Sequence, residues 1–210
     1  MSHRTKFKIQ RALGLELPGL GKPGALEKRA YPPGQHGQAR RPKLSEYGLQ
    51  LREKQKMLFH YGLREEQLRR FVRDARRITP SNWINALIGL LERRLDNLVF
   101  RLGFARSIAA ARQLVSHGHV LVNGRILTIG SAVIRVGSHI ALTEYAAGDM
   151  TYASRSSPRL PLPEFLEFLS AEGTQPNNTH GILRAAPAAS HIPFEFEPQR
   201  VAEYYAQRGI

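Results

Sequence analysis

The groups in this 210-residue sequence that could do chemistry are 31 Lys and Arg side chains, 17 carboxylates and eight histidines. His117 and His119 stand two apart, but there is no H-E-x-x-H and no further ligand to complete a metal shell. Cysteine is absent, which excludes disulfides, thiolate zinc sites, iron–sulfur clusters and a cysteine nucleophile. The sequence holds neither G-x-x-x-x-G-K-[ST] nor G-x-S-x-G, and no pair of its sparse carboxylates suggests acid–base catalysis. No enzyme, metal site or cofactor is therefore expected. What remains is cationic, with a net charge of +14. Such an excess suits a polyanion, because each Lys or Arg placed near a phosphate releases a condensed counterion.

The charge is uneven. Residues 1–60 carry +9, residues 61–112 carry +6, and residues 161–210 carry −3. The polyanion surface is thus expected in the first half, while the acidic, aromatic end suits packing on protein. Three basic groups stand out. In the first, Pro32 to Lys43, Gln35 and His36 offer donors, two glycines permit close backbone approach, and Arg40, Arg41 and Lys43 bring charge. In the second, Arg69, Arg73, Arg76 and Arg77 recur on one side of a helical pattern with few carboxylates among them. The third, from about residue 94 to residue 142, carries Arg94, Arg101, Arg106, Arg112, Arg125, His117, His119 and Asn123.

These groups need elements to hold them. Residues 1–44, punctuated by Pro18-Gly19, Pro23-Gly24 and Pro32-Pro33-Gly34, read as an extended basic arm that orders on a partner. Ser45 caps a helix to about Tyr61, with Tyr47, Leu51 and Leu58 on its apolar stripe and Arg52, Lys54 and Lys56 off it. A second helix, about Glu65 to Ile78, buries Leu68, Phe71, Val72 and Ala75. The apolar spacing from Ile84 to Leu102 predicts two helices, the second capped by Asp96. Ser107 caps a short helix to about His117 whose inner face is Ile108, Ala111, Leu114 and Val115, leaving Arg112 outside. Asn123-Gly124 between two β-type runs predicts a hairpin, since a type I′ turn needs positive φ twice. A further strand is expected at Ala132–Val136 or Ser138–Leu142, and a helix at Glu164–Ala171. No apolar run approaches a membrane span, and the basic N-terminus is not followed by a signal-peptide core, so a cytosol-like compartment is expected.

Several stretches resemble the bacterial small-subunit ribosomal protein S4 family. They are Pro33-Gly34-Gln35-His36-Gly37-Gln38, Leu44 to Lys56, Arg94-Leu95-Asp96-Asn97-Leu98-Val99-Phe100-Arg101-Leu102-Gly103-Phe104, Ala111 to His119, and Val122-Asn123-Gly124-Arg125. They occur in the family's order and cover about residues 31 to 130; Val201 to Tyr205 resembles the family's closing helix more weakly. The resemblance implies an α+β fold: a basic N-terminal arm (1–44), a helical domain (45–93, completed by 193–210), and an inserted RNA-binding domain (94–192). That inserted domain is a helix-turn-helix with a β-hairpin or small antiparallel sheet, followed by an irregular extension. It also implies direct, early binding of 16S rRNA at a junction of several helices, a contact with ribosomal protein S5 that influences decoding accuracy, and a ribosomal location, cytoplasmic or organellar. Neither membrane attachment nor homo-oligomer formation is expected.

The rRNA-binding set expected on this basis is Gln35, His36, Arg52, Lys54, Lys56, Arg69, Arg73, Arg94, Arg106, Arg112, His117, Asn123 and Arg125, with Arg40, Arg41 and Lys43 forming a loop by the mRNA entrance channel. The chain departs from the family in three places. The zinc cysteines that many members carry in the arm are absent, Ile108 stands where many have arginine, and Ser138 follows Gly137 where many have aspartate. Two other classes compete. An RNA-modifying or tRNA-charging enzyme with the same small domain would need catalytic acids that the remaining residues do not offer. A regulator, whether a DNA-binding protein using residues 95–117, an mRNA repressor or an antitermination factor, would leave the basic arm and second helix unexplained if it read DNA.

Overall fold

A computed structural model describes residues 6–39, 43–148, 158–169 and 179–209. The chain divides into two compact units: Met1–Ile84 with Ile192–Ile210, and Asn85–His191. Among the described residues the first unit holds α1 (Lys6–Leu13), α2 (Ala25–Lys28), α3 (Glu46–His60), α4 (Glu65–Ile78) and α8 (Pro198–Ala206). The second holds most of α5 (Trp83–Glu92), then α6 (Leu95–Arg101), α7 (Ile108–Ser116) and a five-stranded antiparallel sheet. Its strands are β1 (Val120–Val122), β2 (Arg125–Ile126), β3 (His139–Leu142), β4 (Leu166–Phe168) and β5 (His180–Leu183), in the order β2-β1-β3-β5-β4. The fold is α+β.

In the first unit, local signals place the helices. The Ser45 Oγ accepts from the Gly48 N–H and starts α3, and the Gln67 side chain accepts from the Arg64 N–H at the start of α4. Leu68, Val72 and Ala75 bury the inner stripe of α4. The arm differs from the extended segment expected of it. Leu13, Leu17 and Ala25 are buried, and the buried Gln10 side chain accepts from the Leu17 N–H at 2.9 Å and donates to the Lys22 carbonyl at 2.8 Å. One amide thus satisfies two backbone groups that Gly/Pro-rich chain would otherwise leave open.

The buried side of α3 also differs from its apolar stripe. Tyr47 is exposed, whereas Gln50, Glu53, Lys54, Lys56 and His60 are buried beside Met57 and Leu58. The reason is α8, which packs along α3 with Val201, Tyr204 and Tyr205 buried; Phe194 and Phe196 are half-buried.

In the second unit, α7 starts at Ser107, whose Oγ accepts from the Ala110 N–H, and buries Ile108, Ala111 and Val115. The hairpin turn forms with φ of 51° at Asn123 and 78° at Gly124. Two expectations are corrected. Arg94, not Asp96, occupies the cap of α6: the Leu95 and Asp96 N–H groups donate to the Ala132 and Gly130 carbonyls at 2.8 and 2.9 Å, so backbone replaces a side-chain cap. Residues Leu166–Phe168 form strand β4 rather than part of a helix, with Leu166 buried, Glu167 exposed and Phe168 half-buried against β5. Of the two candidate third strands, the structure takes His139–Leu142; the Ala132–Val136 stretch makes only the bridge between Val133 and Arg94.

Candidate nucleic-acid interface

The expected binding residues fall into three groups by where their charge goes. Gln35, His36, Lys43, Arg73, Arg106, His117, Asn123 and Arg125 are exposed. Arg69 and Arg112 are partly exposed and each reaches a carboxylate: Arg69 to Glu65 at 3.4 Å, Arg112 to Asp96 at 2.7 Å. The remaining four are occupied inside the fold, and Arg40 and Arg41 lie outside the described residues.

Those four already hold partners within the chain. Lys54 is buried, ion-paired to Glu65 at 2.6 Å, donating to the Tyr204 hydroxyl and lying over the Tyr204 ring. Lys56 is buried, pairing with Glu53 at 2.6 Å and donating to the Glu195 carbonyl. The Arg52 guanidinium donates to the Ala12 and Leu13 carbonyls at the C-terminal end of α1, where a cation complements the helix dipole. Arg94 is buried and donates to both carboxylate oxygens of Asp96, at 3.0 and 2.7 Å. A cation desolvated against a carboxylate is a structural element, and exposing it to a ligand would leave the acid unpaired.

Asp96 is the centre of the second unit. It is fully buried, takes two hydrogen bonds from Arg94, and accepts from the Nε and a terminal nitrogen of Arg112 at 3.0 and 2.7 Å. The three charges join the start of α6 to the middle of α7. Arg112 is therefore half-committed: its stem crosses the α6–α7 contact, and a third of its side chain reaches solvent. A second buried acid, Glu92, accepts from the Asn97 amide at 2.9 Å and pairs with Arg101 at 3.5 Å. Ile108 is buried at the head of α7.

The hairpin and the Gly/Pro loop are braced by polar groups of their own. The Asn123 Oδ1 accepts from the His139 N–H at 2.8 Å, so this expected RNA contact also joins the turn to β3. A Cβ on Gly37 would stand 2.0 Å from the Pro32 carbonyl oxygen. Glycine there serves the loop's own close approach as well as any ligand.

Reasoning from spacing missed Arg70 and Arg135 and left Arg77, though it stands in the basic group of the second helix, out of the expected binding set; all three are exposed. Arg70 and Arg77 share with Arg73 the i, i+3, i+7 spacing of one helix face, so the signal was present. Among the described residues no group of three or more His, Asp or Glu is placed to hold a metal ion, and no helix is long and apolar enough to cross a membrane.

Comparison with known proteins supplies the family. Residues 2–92 match the ribosomal protein S4/S9 N-terminal domain, and residues 93–140 match the S4 domain. The small ribosomal subunit protein uS4B of Bdellovibrio bacteriovorus is 55% identical over 205 residues, covering 97% of this chain and 96% of its own. The chain belongs to the ribosomal protein S4 family. The uS4 proteins of Nostoc punctiforme and Methylobacillus flagellatus are 46% and 45% identical, each over 206 residues, 97% of this chain and 96% of theirs. Membership of this structural, non-enzymatic family replaces the enzyme reading.

Proposed function

We propose that this chain, a structural and non-enzymatic constituent of the small ribosomal subunit, binds 16S rRNA directly through two basic surfaces. One is the outer face of α4. The other is the exposed rim of α7 and the hairpin, with Arg106, His117 and Arg125. The observation that carries the reading is the α4 face. Arg70, Arg73 and Arg77 stand on it in one row, and among the described residues only Arg77 has a carboxylate within ion-pair distance, Asp74 at 3.9 Å. Rigidly mounted guanidiniums with so few neutralising acids suit an RNA helix, which is recognised mostly by shape through phosphate and 2′-hydroxyl contacts. On this reading the chain joins the subunit early at a junction of rRNA helices and lies against ribosomal protein S5. Lys43 with Arg40 and Arg41 lines the mRNA path.

The test is a salt titration of binding to a 16S rRNA junction fragment, with tRNA and duplex DNA as competitors. Arg73→Ala should weaken binding and flatten the log–log salt slope by a little under 1, at about 0.7–0.9 per neutralised phosphate. Arg112→Ala should do the same in smaller measure, since Asp96 shares its guanidinium. Lys54→Met should leave the slope unchanged. Alanine at Arg40, Arg41 and Lys43 together should spare the isolated fragment and impair passage of structured mRNA on assembled subunits. Equal affinity for all three nucleic acids at physiological salt would refute the reading.

A further inference from the structure

Beside the charges of the second unit lies a feature they do not explain. Tyr145 is 85% exposed, yet its ring stacks on His119 with centroids 5.3 Å apart and planes 23° from parallel. His117 stands edge-on to His119 at 6.1 Å. An aromatic side chain held so far into water gains little from burial, and its free face is open.

The backbone fixes the pair. The Thr143 N–H donates to the His119 carbonyl at 3.1 Å, bonding the residue after β3 to the one before β1. The Thr143 carbonyl accepts from the Ala147 N–H at 3.0 Å and closes the short 3₁₀ turn Tyr145–Ala147, in which Ala146 is buried. Tyr145 is thus set on a turn pinned from both sides, over a ring on the neighbouring strand. Exposed Ile126 lies by Gly118, the residue before His119, where an added Cβ would stand 3.6 Å from its Cγ2. Arg125, its neighbour on β2, is also exposed.

We propose that Tyr145, backed by His119, is a stacking platform for one unpaired base of the bound RNA, an inference that rests on the rRNA-binding reading above. A planar π-face at the surface, pre-ordered by a second ring, matches a base splayed out of a helix. Protein aromatics and histidines stack on such bases. A protein partner fits less well. It would favour an apolar surround, whereas this ring stacks on one histidine with a second histidine edge-on beyond it, in a chain of net charge +14.

The experiment uses the full chain and the 16S rRNA junction fragment, with 2-aminopurine placed in turn at each unpaired position. One position should lose fluorescence on binding, as stacking quenches the probe. Tyr145→Leu should abolish that quenching and weaken binding about tenfold, within the range for one base–aromatic stack, while leaving the salt slope unchanged. Tyr145→Phe should restore both. A slope that falls with Tyr145→Leu, or binding and quenching that match the parent, would overturn the platform while leaving the wider reading intact. A Tyr145→Leu chain that keeps its RNA affinity but no longer joins small subunits would assign the ring to a protein partner and also overturn it. Should the parent itself fail on the junction fragment, the wider reading falls. The platform is then judged on an unstructured 2-aminopurine oligonucleotide, where equal quenching by parent and Tyr145→Leu sinks it separately.

Discussion

In the first unit the buried polar contacts join residues far apart in sequence. Lys54 of α3 meets Tyr204 of α8, the Glu53 carboxylate accepts from the Glu197 N–H at the start of α8, and Gln50 donates to Glu203. In the second unit the buried carboxylates find their partners nearby, and the one long tie is the buried Arg101 donating to the His191 carbonyl ninety residues on. Asp96 takes Arg94 from two residues before it and Arg112 from sixteen after, and Glu92 takes Asn97 from five after. Both units bury carboxylates under cations, but one uses them to bring the chain's end back onto α3 and the other to lock neighbouring helices. The first unit is complete only when its last helix arrives. The second closes within its own stretch. A basic protein that must present cations to RNA thus withholds several of them as internal fasteners, and burial decides which.

Removing the returning helix should have the largest effect. Deleting residues 194–210 takes Val201, Tyr204 and Tyr205 from the core, and at about 1.5–3 kcal/mol for each large buried side chain the loss is on the order of 5 kcal/mol or more. Thermal melts should show the loss before any direct change in RNA contacts. A truncated chain that melts like the parent yet loses rRNA affinity would break the assignment of α8 to packing.

Next comes Asp96→Ala, which strands the buried Arg94 and should cost roughly 3–5 kcal/mol in denaturant unfolding. Arg112→Ala in the same assay should cost about 1 kcal/mol, because its partly hydrated guanidinium leaves Arg94 still paired. Equal losses from the two would mean that Arg94 does not hold Asp96 by itself.

Lys54→Met probes the long-range ties. Its carboxylate partner, Glu65, is partly exposed and can rehydrate, so about 1 kcal/mol is expected from denaturation midpoints. A loss as large as that of Asp96→Ala would erase the contrast between the units.

The smallest effect belongs to Tyr205. Burial pushes its phenol above the ordinary value of 10.0, and its hydroxyl has no hydrogen-bond partner among the described residues. The folded chain therefore holds this proton while the unfolded chain releases it. The resulting stability is whole below pH 10 and is lost as pH rises above it. Melting temperature above pH 10 should fall less steeply for Tyr205→Phe than for the parent, with the two curves parallel at lower pH.

Which parts of this were legible beforehand follows from how far each signal reaches. The bounds of α4, the Ser45 and Ser107 caps and the Asn123-Gly124 turn were readable because each depends on groups within a few residues: a hydroxyl facing an N–H three positions on, or a backbone that must turn left-handed twice. The family's motifs, and with them the RNA-binding class, were also present in the residues themselves. The fate of individual cations was not. Lys54, Lys56 and Arg94 have the same chemistry as Arg73 and Arg125, and no local pattern separates them. Only the arrival of α8 over α3, and of α7 beside α6, removes the water that would otherwise have kept them available. Tyr145 escaped for the opposite reason: it belongs to no periodic face, and its value as a platform arises only when β1 and β3 pair and bring His119 beneath it. The sequence by itself determined the locally signalled elements, the charge and the family, because those follow from covalent neighbours and composition. The tertiary structure decided which charges face a ligand, because desolvation depends on what packs across tens to more than a hundred residues of chain.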